Sequence, residues 1–421
     1  MRKFVTDINP NEFDRFADKQ KNNHYTKTSA YGVFKKNDGY EYYLVGVKDD
    51  EQLVATAMIL RKKIAYLFSY YCYVTYGYNM DYTNIELLSF MNSHIISYMS
   101  DVLHACFLRI DPNVCRLEHE QDGKLKADGF NNEWLTKQLI NDGFTHLGYN
   151  YGYSGNWMSR YTYVLDLSAD IDTIKKHIKN FNNHTKKNQM RLIEVYEGKE
   201  EDIKILYNAQ LELAKKDRFV PKPLAYFMDL YRIFGKNAHL YIAKSNLKGA
   251  YQNMLQERDR LQATLAATTN SNKQKELVGG IEAISREITL MEKNGYSTMG
   301  DYILGAKLII QTGDKVFNVH MYTYKLLPNF RAALALHTKA IEDSKKRNAK
   351  SYDFEGISGS LDSNDSYYGI YDFKRSFGGD FLEFIGEFDY VINSHKYKAY
   401  RKIDRLYRRY KRKIYLVLKG W

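Results

Sequence analysis

The chain has 421 residues and a formal net charge of +12, with a sequence pI of about 9.1. The length predicts two or three domains, and the basic balance favours an anionic partner such as nucleic acid, anionic lipid or a phosphorylated substrate. Three cysteines without a C-x-x-C pair argue against a disulfide framework. Neither a signal peptide nor an apolar run long enough to span a membrane is recognisable, so a cytoplasmic protein is expected.

The first part of the chain alternates between helical and strand patterns in the manner of an α/β unit. Thr83 and Glu86 match a capping box that opens a helix, in which Leu88 and Met99 belong to an apolar face with helical spacing. The predicted elements are a helix, a hairpin of two strands around a turn at 48–51, a helix, a strand, a helix and a strand, at residues 9–17, 41–47, 53–60, 83–99, 103–110, 135–142 and 161–167.

The same order of elements returns in the second half of the chain. Strands are predicted first, then a helix that Asn329 caps, then a further strand, at residues 240–243, 302–310, 316–322, 329–347 and 352–354. Two copies of one unit predict an α/β (α+β) fold with two domains. The first domain is expected at residues 1–160, and the second at residues 161–245 and 297–395.

Residues 246–296 interrupt the second copy with a coiled-coil pattern. Five apolar residues follow the a/d spacing of 4, 3, 4 and 3, namely Leu277, Ile281, Ile284, Ile288 and Met291. Leu261 and Leu265 form an earlier seam, and the polar residues 268–272 lie between the two segments. The pattern predicts an antiparallel helical arm that projects from the second domain and is separable from its fold.

Residues 396–421 are predicted to form a basic helix. Lysines and arginines alternate there with tyrosines and isoleucines. Helices of this composition lie on anionic membrane surfaces or follow nucleic-acid phosphates, and a solvated helix that packs through its tyrosines is the alternative.

The richest motif lies between residues 353 and 388. It contains Gly-Ile-Ser-Gly at 356–359, a polar loop, Phe-Lys-Arg at 373–375 and Glu-Phe-Ile-Gly-Glu at 383–387. By composition alone, Lys374 is a lysine whose stem lies along apolar surface. The order and spacing of these motifs, however, resemble the C-terminal signature of the Fem family, the aminoacyl-tRNA-dependent peptidyltransferases that build interpeptide branches on peptidoglycan precursors. The resemblance extends over nearly the whole chain.

The resemblance implies two domains of the GNAT type, the fold of acyl-CoA N-acyltransferases. Several Fem relatives also carry an inserted arm similar to the tRNA-contacting arm of seryl-tRNA synthetase. Neither a cofactor nor a metal is implied, because aminoacyl-tRNA is the activated co-substrate. The chain lacks a GxxxxGK[ST] loop and an HExxH motif, and residues 324–329 lack the glycine that an acetyl-CoA site would require.

The resemblance further implies a set of site residues. Lys374 would stabilise the oxyanion at the ester carbonyl, and Asp111 would orient or deprotonate the attacking amine. Lys35 and Lys222 would hold the diphosphate of a lipid-linked muropeptide. The implied substrate-binding residues are Lys35, Lys36, Lys222, Tyr226, Tyr322 and Phe373. Without the resemblance, Lys35 reads as a surface lysine and Asp111 as a turn carboxylate before Pro112.

The expected function is transfer of an amino acid from charged tRNA to the stem-peptide amine of lipid II, or of a branched derivative, at the inner membrane face. A homo- or hetero-oligomer is a further expectation. The alternatives are a Fem-like immunity or resistance factor, a non-catalytic tRNA- or membrane-binding protein, and an acetyl-CoA acetyltransferase. Two departures from the family pattern, at residues 76–81 and 322–325, leave the acceptor and the amino acid open.

Overall fold

A computed structural model describes residues 1–153, 157–324 and 330–419 as two seven-stranded sheets covered by helices, which confirms the predicted α/β fold class. The strands are β1 (Arg2–Val5), β2 (Tyr40–Asp49), β3 (Gln52–Ile64), β4 (Ser69–Val74), β5 (Ala105–Ile110), β6 (Thr145–His146), β7 (Tyr161–Asp166), β8 (Ile193–Gly198), β9 (Ala238–Asn246), β10 (Asp301–Thr312), β11 (Lys315–Thr323), β12 (Ser351–Asp353), β13 (Asp380–Glu383) and β14 (Phe388–Val391). The helices are α1 (Pro10–Ala17), α2 (Ser29–Lys36), α3 (Ile85–Asp101), α4 (Glu133–Asn141), α5 (Ile171–His177), α6 (Phe181–Met190), α7 (Ile203–Asp217), α8 (Leu224–Phe234), α9 (Leu247–Ala267), α10 (Ser271–Lys293), α11 (Ala332–Lys346), α12 (Tyr368–Arg375) and α13 (Ser394–Leu418).

The two sheets repeat one strand order, as the repeated sequence pattern predicts. The first sheet runs β1-β2-β3-β4-β5-β14-β6, and the second runs β8-β9-β10-β11-β12-β7-β13. In each sheet, antiparallel strands lead to one parallel pair, β4 with β5 or β11 with β12. Parallel neighbours need a crossover connection, and α3 and α11 supply it.

The two units exchange one strand each. β7 pairs with β12 and β13 of the second sheet, whereas β14 pairs with β5 and β6 of the first. The predicted second domain, which extended to residue 395, is therefore wrong at its end, because β14 belongs to the first sheet. The exchange places the chain between β13 and β14 at the junction of the two units.

Backbone angles and capping hydrogen bonds define the ends of several elements more closely than the sequence patterns predict. Asp50 and Glu51 have φ angles of 45° and 66°, so the hairpin closes with a two-residue turn of the type that fits twisted strands. Asn84 rather than Thr83 caps α3, since its side chain accepts a hydrogen bond from the backbone N–H of Leu87. Asn329, the predicted cap of α11, lies outside the described residues.

The N-terminal segment joins the two units. Tyr25 and Phe34 lie between β1 and β2 of the first sheet in sequence but pack into an apolar cluster with Phe227, Phe234 and Phe317 of the second unit. The Tyr25 and Phe317 rings, for example, lie 5.5 Å apart between centroids. This shared core holds the two units together. The candidate site lies along the interface between them, which is called the seam between the units below.

The arm is a helical hairpin of α9 and α10, but its base is part of the core. Of the predicted seam, Leu277, Ile284, Ile288 and Met291 are buried. Near the base, Leu247, Ala250, Met254, Ile288 and Met291 pack with the second sheet. Arg191 at the end of α6 forms a buried ion pair with Glu287, with Nε 2.7 Å from Oε1. The packing of the base therefore argues against an arm separable at residues 246 and 296, and we expect only its tip to be separable.

The basic helix α13 is likewise anchored at its start. Tyr400 is buried against Phe107, and Tyr397 donates a hydrogen bond to Asp389 on β14. Further along, apolar side chains are exposed at helical spacing, namely Ile403, Tyr407, Tyr410, Ile414 and Val417. Across the described parts of the chain, every helix is too short or too polar to cross a membrane.

Candidate active site

The second sheet opens where its parallel strands part. β11 pairs with β12 only from Lys315 to Phe317 and then continues to Thr323. At the point of separation, the Asn318 side chain reaches the carbonyl oxygen of Phe354 at 3.4 Å. Glu355 follows with a φ of 60°, a left-handed conformation that non-glycine residues seldom adopt. Strained backbone of this kind clusters at functional sites, which directs attention to this opening.

Lys374 lies in the last turn of α12 and is buried beside this strained residue. Its Nζ donates hydrogen bonds to the carbonyl oxygens of Glu355, at 2.6 Å, and Gly356, at 2.8 Å. An ammonium group has three donors, so one remains for a ligand. Burial lowers the pKa of Lys374 to about 8, against the opposing pull of the carboxylates of Asp353 and Glu355. The group is thus a largely charged, fixed donor at neutral pH.

Glu355 also meets a residue of the N-terminal segment. Nε2 of His24 lies 3.3 Å from Oε1 of Glu355, across the seam between the units. Burial raises the pKa of Glu355 to about 7 and lowers the pKa of His24 to about 3. Nearby, Asp353 accepts a hydrogen bond from the Thr162 hydroxyl, and burial raises its pKa to about 6. The sequence patterns did not identify this group, because its members are far apart in the chain.

Asp111 follows β5 and is nearly enclosed. Its Oδ1 accepts a hydrogen bond from the backbone N–H of Tyr76 at 2.7 Å, and its Oδ2 accepts one from the Tyr73 hydroxyl at 2.8 Å. Burial, and then the negative charge of Glu387, raise the pKa of Asp111 well above its usual range. The adjoining cavity has a volume of about 10 Å³, which holds no more than a single water.

Lys27 holds the loop that covers Asp111. Its buried Nζ donates to the carbonyl oxygens of Asn22, Tyr76 and Tyr78, at 2.8, 3.0 and 2.9 Å. The Tyr76 ring in turn packs against His24 at a tilt of 46°, with ring centroids 4.2 Å apart. Tyr76 thus connects the Asp111 side of the seam to the Glu355 side.

A larger pocket of about 550 Å³ opens beside α8 and contains two of the predicted binding residues. Lys222 and Tyr226 line it, with Nζ of Lys222 4.9 Å from the Tyr226 ring centroid. Asp38 and Asp229 line it as well. Lys35 reaches this pocket indirectly, through an ion pair with Asp38. The pocket therefore carries both signs of charge rather than the purely basic surface expected for a diphosphate.

Tyr226 and Tyr322 are connected through His320 on β11. Nε2 of His320 lies 3.4 Å from the Tyr226 hydroxyl, and Nδ1 lies 3.4 Å from the Tyr322 hydroxyl. Burial, followed by the charge of Lys222, lowers the pKa of His320 to about 3, so the ring is neutral at physiological pH. The open half of β11 thus extends the Lys222 pocket toward Asn318 and the Lys374 group.

Two predicted residues are not part of this arrangement. Lys36 is exposed and lies over the Tyr42 ring of the first sheet, with Nζ 5.1 Å from the ring centroid. Phe373 packs in the core against His337 and Phe377. Both are better described by packing than by contact with a substrate.

A second buried lysine lies behind the opening and was not recognised from the sequence. Nζ of Lys307 lies 2.6 Å from Nδ1 of His337, which is 3.1 Å from the Tyr352 hydroxyl. Burial, and then the charge of Lys374, lower the pKa of Lys307 well below its usual range. Among the described residues, Lys307 has no carboxylate partner. A lysine within an alternating strand pattern gives no sequence signal of this kind.

Taken together, the seam offers a fixed cation, two carboxyl groups and a pocket of mixed charge. Such groups suit acyl transfer, in which an oxyanion needs a donor and an amine must lose a proton. The sequence pattern of the FemAB family matches residues 8–405. The chain belongs to the FemAB family.

The likeness of this FemAB-family chain to known proteins covers almost its whole length. It is 24% identical over 420 residues to the aminoacyltransferase FemA of Staphylococcus aureus strain MRSA252, covering 95% of this chain and 98% of FemA. FemA of the bovine strain RF122 / ET3-1 matches equally well, at 24% identity and the same coverage. The likeness supports an aminoacyltransferase.

The crystal structure of FemX has the same fold as this FemAB-family chain. The two structures superpose with a TM-score of 0.72 at 21% sequence identity, over 94% of this chain and 99% of FemX. The predicted family and its paired α/β units are thereby confirmed.

Proposed function

We propose that this chain transfers an amino acid from aminoacyl-tRNA to the stem-peptide amine of lipid II, or of a branched derivative, and so builds the peptidoglycan interpeptide bridge. The observation that carries the proposal is the fixed ammonium group of Lys374 at the open end of the second sheet, in a chain that resembles the aminoacyltransferase FemA over 95% of its length. The spare N–H of Lys374 would stabilise the oxyanion as the amine attacks the ester.

The proposal assigns the lipid-linked diphosphate to the pocket that Lys222 and Tyr226 line. Lys35 would contribute when a phosphate replaces Asp38 as its partner, since phosphate and carboxylate compete for the same ammonium donors. Asp111 would hold the Tyr76 loop through its two hydrogen bonds. Tyr226 and Tyr322, joined through His320, would line the path between this pocket and Lys374.

Peripheral attachment to the inner membrane face is the second part of the proposal. Tyr415 of α13 and Lys419, which directly follows this helix, line a groove together with Lys222 and its neighbouring prolines. The exposed apolar side chains of α13 lead toward this groove, and lysines such as Lys402 and Lys413 accompany them. A basic helix with apolar side chains binds anionic membranes, and here it would deliver the lipid-linked substrate beside Lys222.

The test is incubation with lipid II and a mixture of charged tRNAs, followed by mass analysis of the muropeptide. A mass increase equal to one amino-acid residue is expected, and it should be absent with uncharged tRNA. An acetyl increment with acetyl-CoA would instead indicate an acetyltransferase. No increment with any charged tRNA would contradict the proposed donor and acceptor.

A further inference from the structure

His24 and Glu355 face each other across the interface between the two units, each with one enclosed polar atom. Nδ1 of His24 accepts a hydrogen bond from the backbone N–H of Thr26 at 3.2 Å. A neutral imidazole with an acceptor at Nδ1 carries its hydrogen on Nε2. Nε2 lies 3.3 Å from Oε1 of Glu355, and among the described residues neither of these enclosed atoms has a hydrogen-bond partner of good geometry. His24 therefore places a neutral Nε2–H beside the enclosed oxygen of the carboxylate.

Glu355 is held on its backbone side as well. Its carbonyl oxygen accepts the 2.6 Å hydrogen bond from Lys374, and its φ of 60° fixes the direction in which the side chain leaves the chain. The side chain keeps 20% of its surface exposed although Oε1 is enclosed, so the accessible oxygen is Oε2. One open carboxylate oxygen is thus fixed next to the ammonium group that would face the ester.

Asp111 offers no comparable open oxygen. Both of its oxygens accept hydrogen bonds from Tyr73 and Tyr76, and its cavity of about 10 Å³ leaves no room for an amine-bearing side chain. A carboxylate with both oxygens occupied is suited to holding a loop. The contrast separates the two carboxyl groups by role, one structural and one accessible.

Resting on the proposed aminoacyl transfer, we propose that Glu355, with His24 against its enclosed oxygen, takes the proton of the attacking amine and returns it to the leaving oxygen. Asp111 then acts as a positioning residue through the Tyr76 loop.

The step balances within the proposed reaction. The neutral amine nitrogen forms a bond to the ester carbonyl carbon, and the carbonyl electron pair moves to oxygen beside Lys374. Oε2 of Glu355 accepts one proton from the nitrogen. The C–O bond to the ribose then breaks, and the departing oxygen takes the electron pair and the proton from Glu355. The products are an amide and an alcohol, with Glu355 again a carboxylate.

The surroundings of Glu355 favour a group that can both take and release a proton near neutral pH. Burial raises its pKa to about 7, and the nearby charge of Lys374 limits the rise. A base works best with a pKa close to the operating pH. The titratable groups that face Glu355 from neighbouring elements are His24, Tyr25, Tyr76, Tyr226, Asp353 and Lys374.

The direct test compares the pH dependence of kcat for wild type and Glu355→Gln with the same donor and acceptor. The wild-type rate should rise through an apparent pKa near 7, and the variant should lose this rise while kcat falls about a hundred- to ten-thousandfold. Ionisation of the acceptor amine affects both proteins equally, so the difference isolates Glu355. A variant that keeps the rise, or that loses less than about tenfold in kcat, would overturn the assignment.

Two matched variants separate the roles. Asp111→Asn should lower activity but retain the ionisation near pH 7, and loss of that ionisation in this variant would assign the base to Asp111 instead. His24→Asn keeps an acceptor for the Thr26 N–H but removes the Nε2 donor. Without the Nε2–H beside it, the carboxylate of Glu355 is less stabilised, so the rise of kcat with pH should occur at a higher pH. An unmoved rise would remove His24 from the pair.

A substrate-free measurement keeps this inference distinct from the proposed function. The ¹⁵N resonance of His24 Nε2 should respond to a titration near pH 7 in wild type and lose that response in Glu355→Gln. This result does not depend on which donor or acceptor the enzyme uses. A His24 resonance that does not change between about pH 6 and pH 8 would overturn the pair, whereas failed transfer to lipid II would overturn only the proposed substrates.

Discussion

The two units of this protein have the same strand order but differ at the end of their parallel pair. In the first unit, β4 and β5 stay paired to their last residues, Val74 and Ile110. In the second, β11 leaves β12 after Phe317. The closed end leaves room for about one water beside Asp111, whereas His320 on the open half of β11 contacts Tyr226, which lines a pocket of about 550 Å³. One topology thus provides a scaffold in one copy and an accessible site in the other.

Two sets of buried charges, one on β5 and β14 of the first sheet and one at the open end of the second, also differ in their partners. In the first sheet, the Arg109 guanidinium on β5 forms a bidentate pair with Asp389 on β14, at 2.7 and 2.8 Å. At the open end, Lys374 donates to two carbonyl oxygens and Lys307 bonds a histidine. Paired charges hold structure together, while buried ionisable groups with strongly shifted pKa values are candidates for chemistry.

The largest expected effect is on the closed unit. Asp389→Ala removes the carboxylate that binds Arg109 and Tyr397, and so leaves a buried guanidinium without its main partner. Breaking a buried pair in this way costs about 3–5 kcal/mol of stability. Denaturant unfolding should show this loss. As a control, Glu200→Ala removes an exposed ion pair with Arg232 and should change stability little. Equal losses in both variants would contradict the scaffold role of the first unit.

The next effect is on turnover at the open end. Lys374→Met keeps the apolar stem and removes the charge, so kcat should fall about a hundred- to thousandfold, the loss of about 3–4 kcal/mol of oxyanion stabilisation. Binding of the lipid-linked acceptor, measured separately, should change little.

Lys345→Met is the matched control for this variant. Lys345 also donates to two backbone carbonyls, of Leu167 and Ser168, but lies away from the opening. The Lys345→Met variant should have the same melting temperature as Lys374→Met and should keep full turnover. If Lys374→Met lost acceptor affinity with turnover intact, Lys374 would be a phosphate ligand instead.

The third effect is smaller and concerns the free energy of unfolding at acid pH, which His320 at the open end should influence. The pKa of His320 is lowered to about 3 in the folded state, so its contribution to stability is present above the unfolded value near 6.5 and is lost as the pH falls. His320→Gln should therefore gain up to about 2 kcal/mol relative to wild type between pH 7 and pH 5.

The stability of Glu355→Gln relative to wild type should change with pH in the opposite direction. The raised pKa of Glu355, about 7, contributes stability at low pH that is lost as the pH rises. Thermal melts over this pH range measure both variants. The same sign for both would contradict the shifts assigned to the open end.

The smallest effect is expected from trimming the arm. Replacing residues 262–276 with a short Gly/Ser link removes the tip and leaves the base, including Met254 and Ile288, in the core. The melting temperature should stay close to wild type. Replacing residues 246–296 should instead unfold the second unit, and a stable protein after that larger deletion would show that the base is dispensable.

Much of the fold could be predicted because its signals are local. The periodic apolar face of α3 and the alternating strands of the hairpin lie within short windows, and each was recovered. The strand exchange could not be predicted, because Arg109 and Asp389 are separated by 280 residues. The sequence of β14 predicts a strand but does not indicate which sheet it joins. Tertiary packing determines that it pairs with β5 and β6.

The candidate site shows the same limit. Lys374, Asp111 and Lys222 stand in motifs that a family resemblance can locate, although the resemblance gave no geometry. Glu355 lies in the same C-terminal stretch as Lys374, but His24 lies in no recognised motif, and the contact between His24 and Glu355 depends on the N-terminal segment crossing to the second unit. The strained φ of Glu355 is also a tertiary property, since the sequence around it contains two glycines that would adopt it more readily.

The central claim is that the reacting groups are gathered at the open end and act as one unit. A double-mutant cycle of Lys374→Met and Glu355→Gln, measured as kcat/KM for aminoacyl transfer, tests it most directly. Groups that act together give non-additive losses, so the double variant should lie within about threefold of the slower single variant. Losses that multiply would show that Lys374 and Glu355 act independently, and would contradict the claim.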